Sequence, residues 1–171
     1  MKKIFACTLI ALGCMAGTAH AGSGEVRFLG AVTDTTCDLL PEVDGSVNNL
    51  VQLGTAGIDG KAGQKTFKLV LNPAQSDCAA LPDDQVATIA WGGMFNEQGL
   101  TNQSGLATDA WVEIKTVNAT GTQTDINSTS HAADWTGDTL KATGAEFTAE
   151  LNGGKIPGDF ASAAAFVVAY K

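Results

Sequence analysis

The sequence predicts an all-β sandwich, and three observations carry that expectation. Apolar residues recur with period two in several short runs, the pattern of strands that bury one face. Clusters of Gly, Asn, Asp and Pro separate the runs at short intervals, as they do in sheets built from many short strands. No window carries a helical period beyond a turn near residues 74–80.

The elements are read after setting the first residues aside. Lys2 and Lys3 precede an apolar stretch over residues 4–18, and Ala19-His20-Ala21 supplies a small-x-small cleavage pattern. Residues 1–21 are therefore expected to be a cleaved secretory signal. The stretch is shorter than the roughly 18–20 apolar residues a spanning helix needs, which disfavours an uncleaved anchor. Residues 25–32 place Val26, Phe28, Gly30 and Val32 on one face. Residues 50–54 pair Val51 with Leu53, and residues 66–71 turn Phe67, Leu69 and Leu71 inward. Residues 86–91 offer Ala87, Ile89 and Trp91, and residues 110–117 offer Val112 and Ile114, with Trp111 and Val117 opposite. Residues 146–151 alternate Phe147, Ala149 and Leu151 with Glu and Thr, and the last run aligns Phe160, Ala164, Phe166, Val168 and Tyr170. Turns are expected at Asp44-Gly45, Asp59-Gly60, Asn72-Pro73, Gly92-Gly93 and Asn152-Gly153-Gly154.

Composition narrows the function. Without Lys2 and Lys3, 8 basic residues face 18 acidic ones, a balance that repels nucleic acid and anionic membranes. Cys7 and Cys14 leave with the signal, so the mature chain keeps Cys37 and Cys78. In an oxidising export compartment such a pair reads as a disulfide. Closing a loop of that length is worth on the order of 4 kcal/mol in the chain-entropy account.

The two ends of the mature chain are complementary. The final strand alternates to the penultimate residue and has no successor to cover it, while the first begins just behind Gly22-Ser23-Gly24. Bare strand edges recruit other strands, so these ends pair either within one molecule or between molecules.

At this point the residues resemble a known family. Gly24-Glu25-Val26-Arg27-Phe28-Leu29-Gly30-Ala31-Val32, followed by Cys37, is similar to the N-terminal signature of type 1 fimbrial (chaperone–usher) pilins. Val51-Gln52-Leu53-Gly54, and Phe67-Lys68-Leu69-Val70-Leu71 followed by Cys78, resemble later stretches of that family. Tyr170 is penultimate and Gly158 fourteenth from the end, a spacing similar to the motif read by periplasmic pilus chaperones. The resemblance implies an incomplete immunoglobulin-like β-sandwich that lacks its final strand. Residues 22–36 would then be the donor strand and start of the fold, and residues 37–171 the pilin domain. The donor side chains would be Val26, Phe28, Gly30 and Val32. The acceptor groove, also the chaperone's site, would run along Gly158, Phe160, Ala164, Phe166, Val168 and Tyr170. Implied partners are identical or related pilin subunits, a periplasmic chaperone and an outer-membrane usher, on a route through the periplasm to a surface fimbrium that contributes to cell adhesion.

Catalysis finds little support. His131 is the mature chain's only histidine, and no carboxylates or thiols stand at metal-ligand spacing, so neither cofactor nor metal is expected. Asn102, Asn118 and Asn127 open glycosylation-like triplets that an Asn- and Thr-rich chain produces by chance. Trp91 and Trp111 are expected in strands. Trp135 lies in a polar stretch and, with His131, forms a speculative patch for a host glycan. The rival reading is a self-contained secreted β-sandwich carbohydrate-binding module that closes its own sheet; a small periplasmic enzyme ranks third.

Overall fold

A computed structural model describes residues 37–171. Two antiparallel sheets enclose one core. The larger contains β1 (Leu39–Val43), β2 (Ser46–Val47), β3 (Lys65–Leu71), β5 (Leu100–Thr101), β6 (Trp111–Thr116), β7 (Asp125–Ile126) and β9 (Ala145–Asn152). Its order is β2-β1-β3-β9-β6-β5, with β7 also paired to β6. The smaller sheet has the order β10-β4-β8, built from β10 (Ala164–Tyr170), β4 (Val86–Gly93) and β8 (Ala132–Thr136). Two short helices, α1 (Ser76–Ala79) and α2 (Gly137–Ala142), close the ends.

Period-two patterning sets which face each strand buries. Phe67 and Leu69 on β3, Ala87, Ile89 and Trp91 on β4, Val112 and Ile114 on β6, and Phe147, Ala149 and Leu151 on β9 are all buried. Phe147 stands at the centre of an aromatic cluster. It stacks on Phe67 at 5.2 Å and meets Trp91 edge-on at 5.3 Å, with Trp135 tilted against it at 5.2 Å. Edge-to-face and stacked pairs at this spacing add about 0.5–1.5 kcal/mol each beyond simple burial.

Turn chemistry fixes the first hairpin. Asp44 and Gly45 both adopt positive φ, 52° and 76°, so the two-residue turn matches the twist of the strands it joins. The Asn72-Pro73 corner leads into α1, whose Cys78 is bonded to Cys37 across a Cα–Cα distance of 4.9 Å. Gly137 opens α2 in contact with residue 82: a Cβ there would lie 2.0 Å from the Pro82 carbonyl oxygen.

Three expectations are corrected. Gly92 and Gly93 do not form a turn; they are the last residues of β4, opposite Ala165 and Ala164 of β10. Residues 50–54 form no strand. Gly54 has a φ of 80°, which breaks the extended conformation, and the segment lies as an unladdered wall beside the core. The polar stretch around residue 135 is not a loop but strand β8, and α2 follows it directly.

The three glycosylation-like asparagines all serve the fold. Asn127 organises a turn by accepting from the backbone N–H of Thr129 and Ser130. Asn102 binds the segment that leads into β10, accepting from Ala161 N and donating to Asp159 O. Asn118 accepts from the Trp135 indole at 2.9 Å and from Glu146 N at 2.8 Å, while its amide nitrogen donates to Thr143 and Gly144. Asn118→Ala strands two donors at the core boundary and is expected to destabilise the protein by about 2–4 kcal/mol. Urea denaturation would measure this as a lower midpoint with an unchanged slope.

Candidate functional site: an open groove along the last strand

Strand β10 is bonded along one edge only among the described residues. The hydrogen bond from Lys171 N to Val86 O, in the register that pairs Tyr170 with Ala87, identifies which peptide groups face β4. Alternation along an antiparallel ladder then directs the N–H and C=O groups of Phe166, Val168 and Tyr170 toward the open edge. The β4–β8 side agrees, because Trp91 N donates to His131 O, leaving the even-numbered residues of β4 to bond β10.

The side chains of the same strand are incompletely covered. Ala164, Phe166, Val168 and Tyr170 face the core and pack against it, yet each is only partly buried, unlike the inward residues of β4 and β9. Phe166 is anchored by Trp91, with ring centroids 5.6 Å apart. Facing β10 across the gap are Pro41, Val43, Val51 and Leu53, and the floor includes Phe67, Leu69 and Trp91. The cavity between these banks holds about 330 Å³. A second cavity of about 610 Å³ shares Val51, Leu53 and Phe160 with it and extends the groove to Gly158. An apolar trough thus accompanies a row of peptide groups that have no partner among the described residues.

Each end of the trough is built differently. At one end the Tyr170 hydroxyl donates to the Cys37 carbonyl oxygen at 2.6 Å, and the disulfide pins Cys37 in place. Burial, with a smaller effect from the Asp38 charge, pushes the Tyr170 phenol up to about 12. At the other end, residues 159–163 are fastened to residues 101–107. Gln103 Nε2 donates to Ala163 O, Ser162 Oγ to Thr101 O, and Ala107 N to Asp159 O. Gly158 is needed there for close approach, since a Cβ would lie 2.5 Å from Leu106 Cβ and 2.7 Å from Ala107 N.

Gly158, Phe160, Ala164 and Phe166 line the two cavities, and Val168 and Tyr170 continue the same partly buried face of β10 toward Cys37 and Cys78. Val26, Phe28, Gly30 and Val32, and the signal reading of residues 1–21, lie outside the described residues. The patch proposed for Trp135 and His131 is corrected. Trp135 is opposite Ala87 on the core side of the smaller sheet and is 0% exposed, so it has no free face for a sugar. His131 is partly buried, and its Nδ1 and the Trp91 Nε1 are enclosed without hydrogen-bond partners among the described residues. Sequence reading also missed Asn102, Gln103 and Pro41. Asn102 and Gln103 lie outside any strand, where no periodicity marks them, and Pro41 lies outside the expected strand runs.

The chain is similar in sequence to known proteins. Over 171 residues, covering all of both chains, the sequence is 37% identical to the F107 fimbrial protein of Escherichia coli. It is 30% identical to the K99 fimbrial protein of the same species, over 99% of this chain and 98% of that one. It is 28% identical to the Major MR/P fimbria protein of Proteus mirabilis (strain HI4320), over 95% and 94%. No family model matches the chain.

Because the chain has one tyrosine, phenolate absorbance reports the groove end alone. Its titration midpoint is expected near 12 in the folded protein and near 10 once unfolded. The folded state then holds a proton that the unfolded chain has lost between those values. Stability from this group is intact below about pH 10 and falls as pH rises through the folded midpoint. Tyr170→Phe should remove that alkaline loss, read as denaturation midpoints from pH 9 upward.

Proposed function

The chain belongs to the family of fimbrial proteins and is a fimbrial structural subunit, and from that premise we propose that it polymerises by strand donation. The mature subunit begins at Gly22 in this reading. Residues 22–36 of one copy enter the groove of the next and pair with the open edge of β10. Binding of this kind takes affinity from backbone hydrogen bonds and specificity from pockets for alternate side chains.

The observation that carries the reading is that Phe166 and Val168 have outward-facing peptide groups and half-covered side chains. One incoming strand satisfies both deficits. Val26, Phe28 and Val32 lie at the alternate positions such a strand would bury, worth roughly 1.5–3 kcal/mol each. Each added backbone hydrogen bond contributes about 0.5–1.5 kcal/mol. Gly30 shares their face in the alternation and in this reading meets a part of the groove too shallow for a side chain.

The same groove suits a periplasmic chaperone that holds the subunit before an outer-membrane usher exchanges it for the neighbour's strand. The product is a surface fimbrium that contributes to adhesion, and the subunit itself performs no catalysis. The other sequence reading, a self-contained carbohydrate-binding sandwich, gains nothing from the relatives.

Gly30→Leu is expected to leave the chaperone-bound subunit intact and to abolish fibres, scored by electron microscopy and by detergent-resistant ladders; normal fibres would refute strand donation. A synthetic peptide of residues 22–36 should bind the chaperone-free subunit, and Val168→Asp, which places a charge in the trough, should reduce that binding at least tenfold.

A further inference from the structure

Four large apolar side chains stand exposed at one end of the groove: Ile58 at 62%, Met94 at 61%, Leu106 at 72% and Ile156 at 47%. We propose that this rim seats the body of a second copy, the copy whose strand fills the groove. Neighbouring subunits then touch through a rigid apolar contact as well as through the donated strand. The inference rests on the strand-donation reading and adds a second surface to it.

The four side chains belong to the same end of the molecule. Ile58 and Ile156 line the larger cavity, and Leu106 lies against Gly158, which lines it too. Met94 follows Gly93, the residue opposite Ala164 at the start of β10. Exposed apolar residues scattered singly are ordinary, whereas a cluster of large ones marks a contact surface.

The rim is also held still. Asp59 N donates to Gly154 O at 3.1 Å and Gly153 N to Gly60 O at 2.8 Å, which ties the loop of Ile58 to that of Ile156. Asp109 accepts from Lys155 N and Ile156 N at 2.7 and 3.2 Å, and these bonds hold its carboxyl below the usual carboxylate range. Ala107 N donates to Asp159 O at 3.2 Å, which fixes the backbone beside Leu106. Side chains presented on a fixed backbone lose little freedom on docking.

Chain length and direction identify the occupant. Residues 33–36 alone separate Val32, the last apolar position of the donated strand, from Cys37, where the described fold begins. The chain from 32 to 37 reaches about 18 Å at most, less than the ~30 Å across a small domain. The donor's body must therefore sit against the end of the groove from which its strand leaves. The Tyr170 end is the acceptor's own point of departure, since its Cys37 is bonded to Tyr170 there and its own residues 22–36 set out from that corner toward the next copy. A body seated there would compete with that outgoing segment and set two copies pole to pole. Entry at the Gly158 end stacks every copy in the same sense, the head-to-tail arrangement that extends as an open filament. The counterface is the pole around Cys37, where Ala79 and Ala80 stand exposed next to Cys78 and small side chains leave room for the bulky ones of the rim.

Met94 makes the test direct, because it is the one methionine left once residues 1–21 are removed. Hydrogen peroxide gives one oxygen to an accessible thioether and leaves as water, and mass spectrometry reads the sulfoxide. Two preparations have the groove filled: mature subunit saturated with a synthetic peptide of residues 22–36, which brings a strand without a body, and fibres, which bring both. Sulfoxide formation at Met94 is expected to be at least about tenfold slower in fibres. A two-copy species whose remaining groove is capped with the peptide should oxidise in two phases of equal size, one slow and one matching the peptide complex, which assigns the cover to the adjacent copy. Leu106→Asp places a charge in the apolar contact and should bring the rate in fibres to within about threefold of the peptide complex. Equal rates in the two preparations, a two-copy species that oxidises in a single phase, or protection unchanged by Leu106→Asp would each overturn the rim contact and leave strand donation standing. Failure of the peptide to bind the subunit overturns both.

Discussion

Among the described residues strand β10 hydrogen-bonds on one side only, and the remaining architecture is organised around its other side. A strand in the middle of a sandwich would have both rows of peptide groups satisfied and its inward side chains sealed. Among the described residues Phe166, Val168 and Tyr170 have neither, although Trp91 behind Phe166 belongs to a buried aromatic cluster. Unpaired backbone groups beside apolar surface are costly in water-poor surroundings, so this edge is a strong acceptor for any extended segment of matching pattern. Rigidity around it matters equally. The disulfide, the Tyr170–Cys37 bond and the Asn102 and Gln103 clamps hold the banks at fixed separation.

Much of the fold was legible because periodicity reports burial directly. Phe67 and Leu69, Ala87 and Ile89, or Phe147 and Ala149 could be assigned to the core from spacing alone, since a strand has only two faces. The last strand was legible for the same reason. Trp135 was misplaced because β8 carries Ala132, Ala133 and Asp134 before it, and small or polar residues conceal an alternation that a single large aromatic completes. Helix α2, six residues long, is too short for a helical period to register.

The far bank of the groove shows a different limit. Val51 and Leu53 alternate as a strand would, and they do present apolar side chains to the trough. Their backbone makes no ladder, however, because Gly54 turns away with positive φ. Pattern alone identifies which side chains face the core, but the presence of a bonded neighbour depends on chain geometry further along. Trp111 illustrates the converse. It stands with Val117 opposite Val112 and Ile114 in a run with apolar residues on both faces, and the burial of Val112 and Ile114 places the indole on the outer face.

The bond between Tyr170 and Cys37 spans 133 positions of sequence. Contacts of that separation slow folding, because loop-closure entropy must be overcome before they contribute. The first residues of the described fold therefore wait for the last to emerge before their shared corner can close. During that interval the edge of β4 that β10 covers lies open to promiscuous pairing, and the chain is at its most vulnerable to aggregation just before that strand docks. An escort that grips the terminal strand would act at this slow step, shortening the dangerous lifetime of a nearly finished polypeptide.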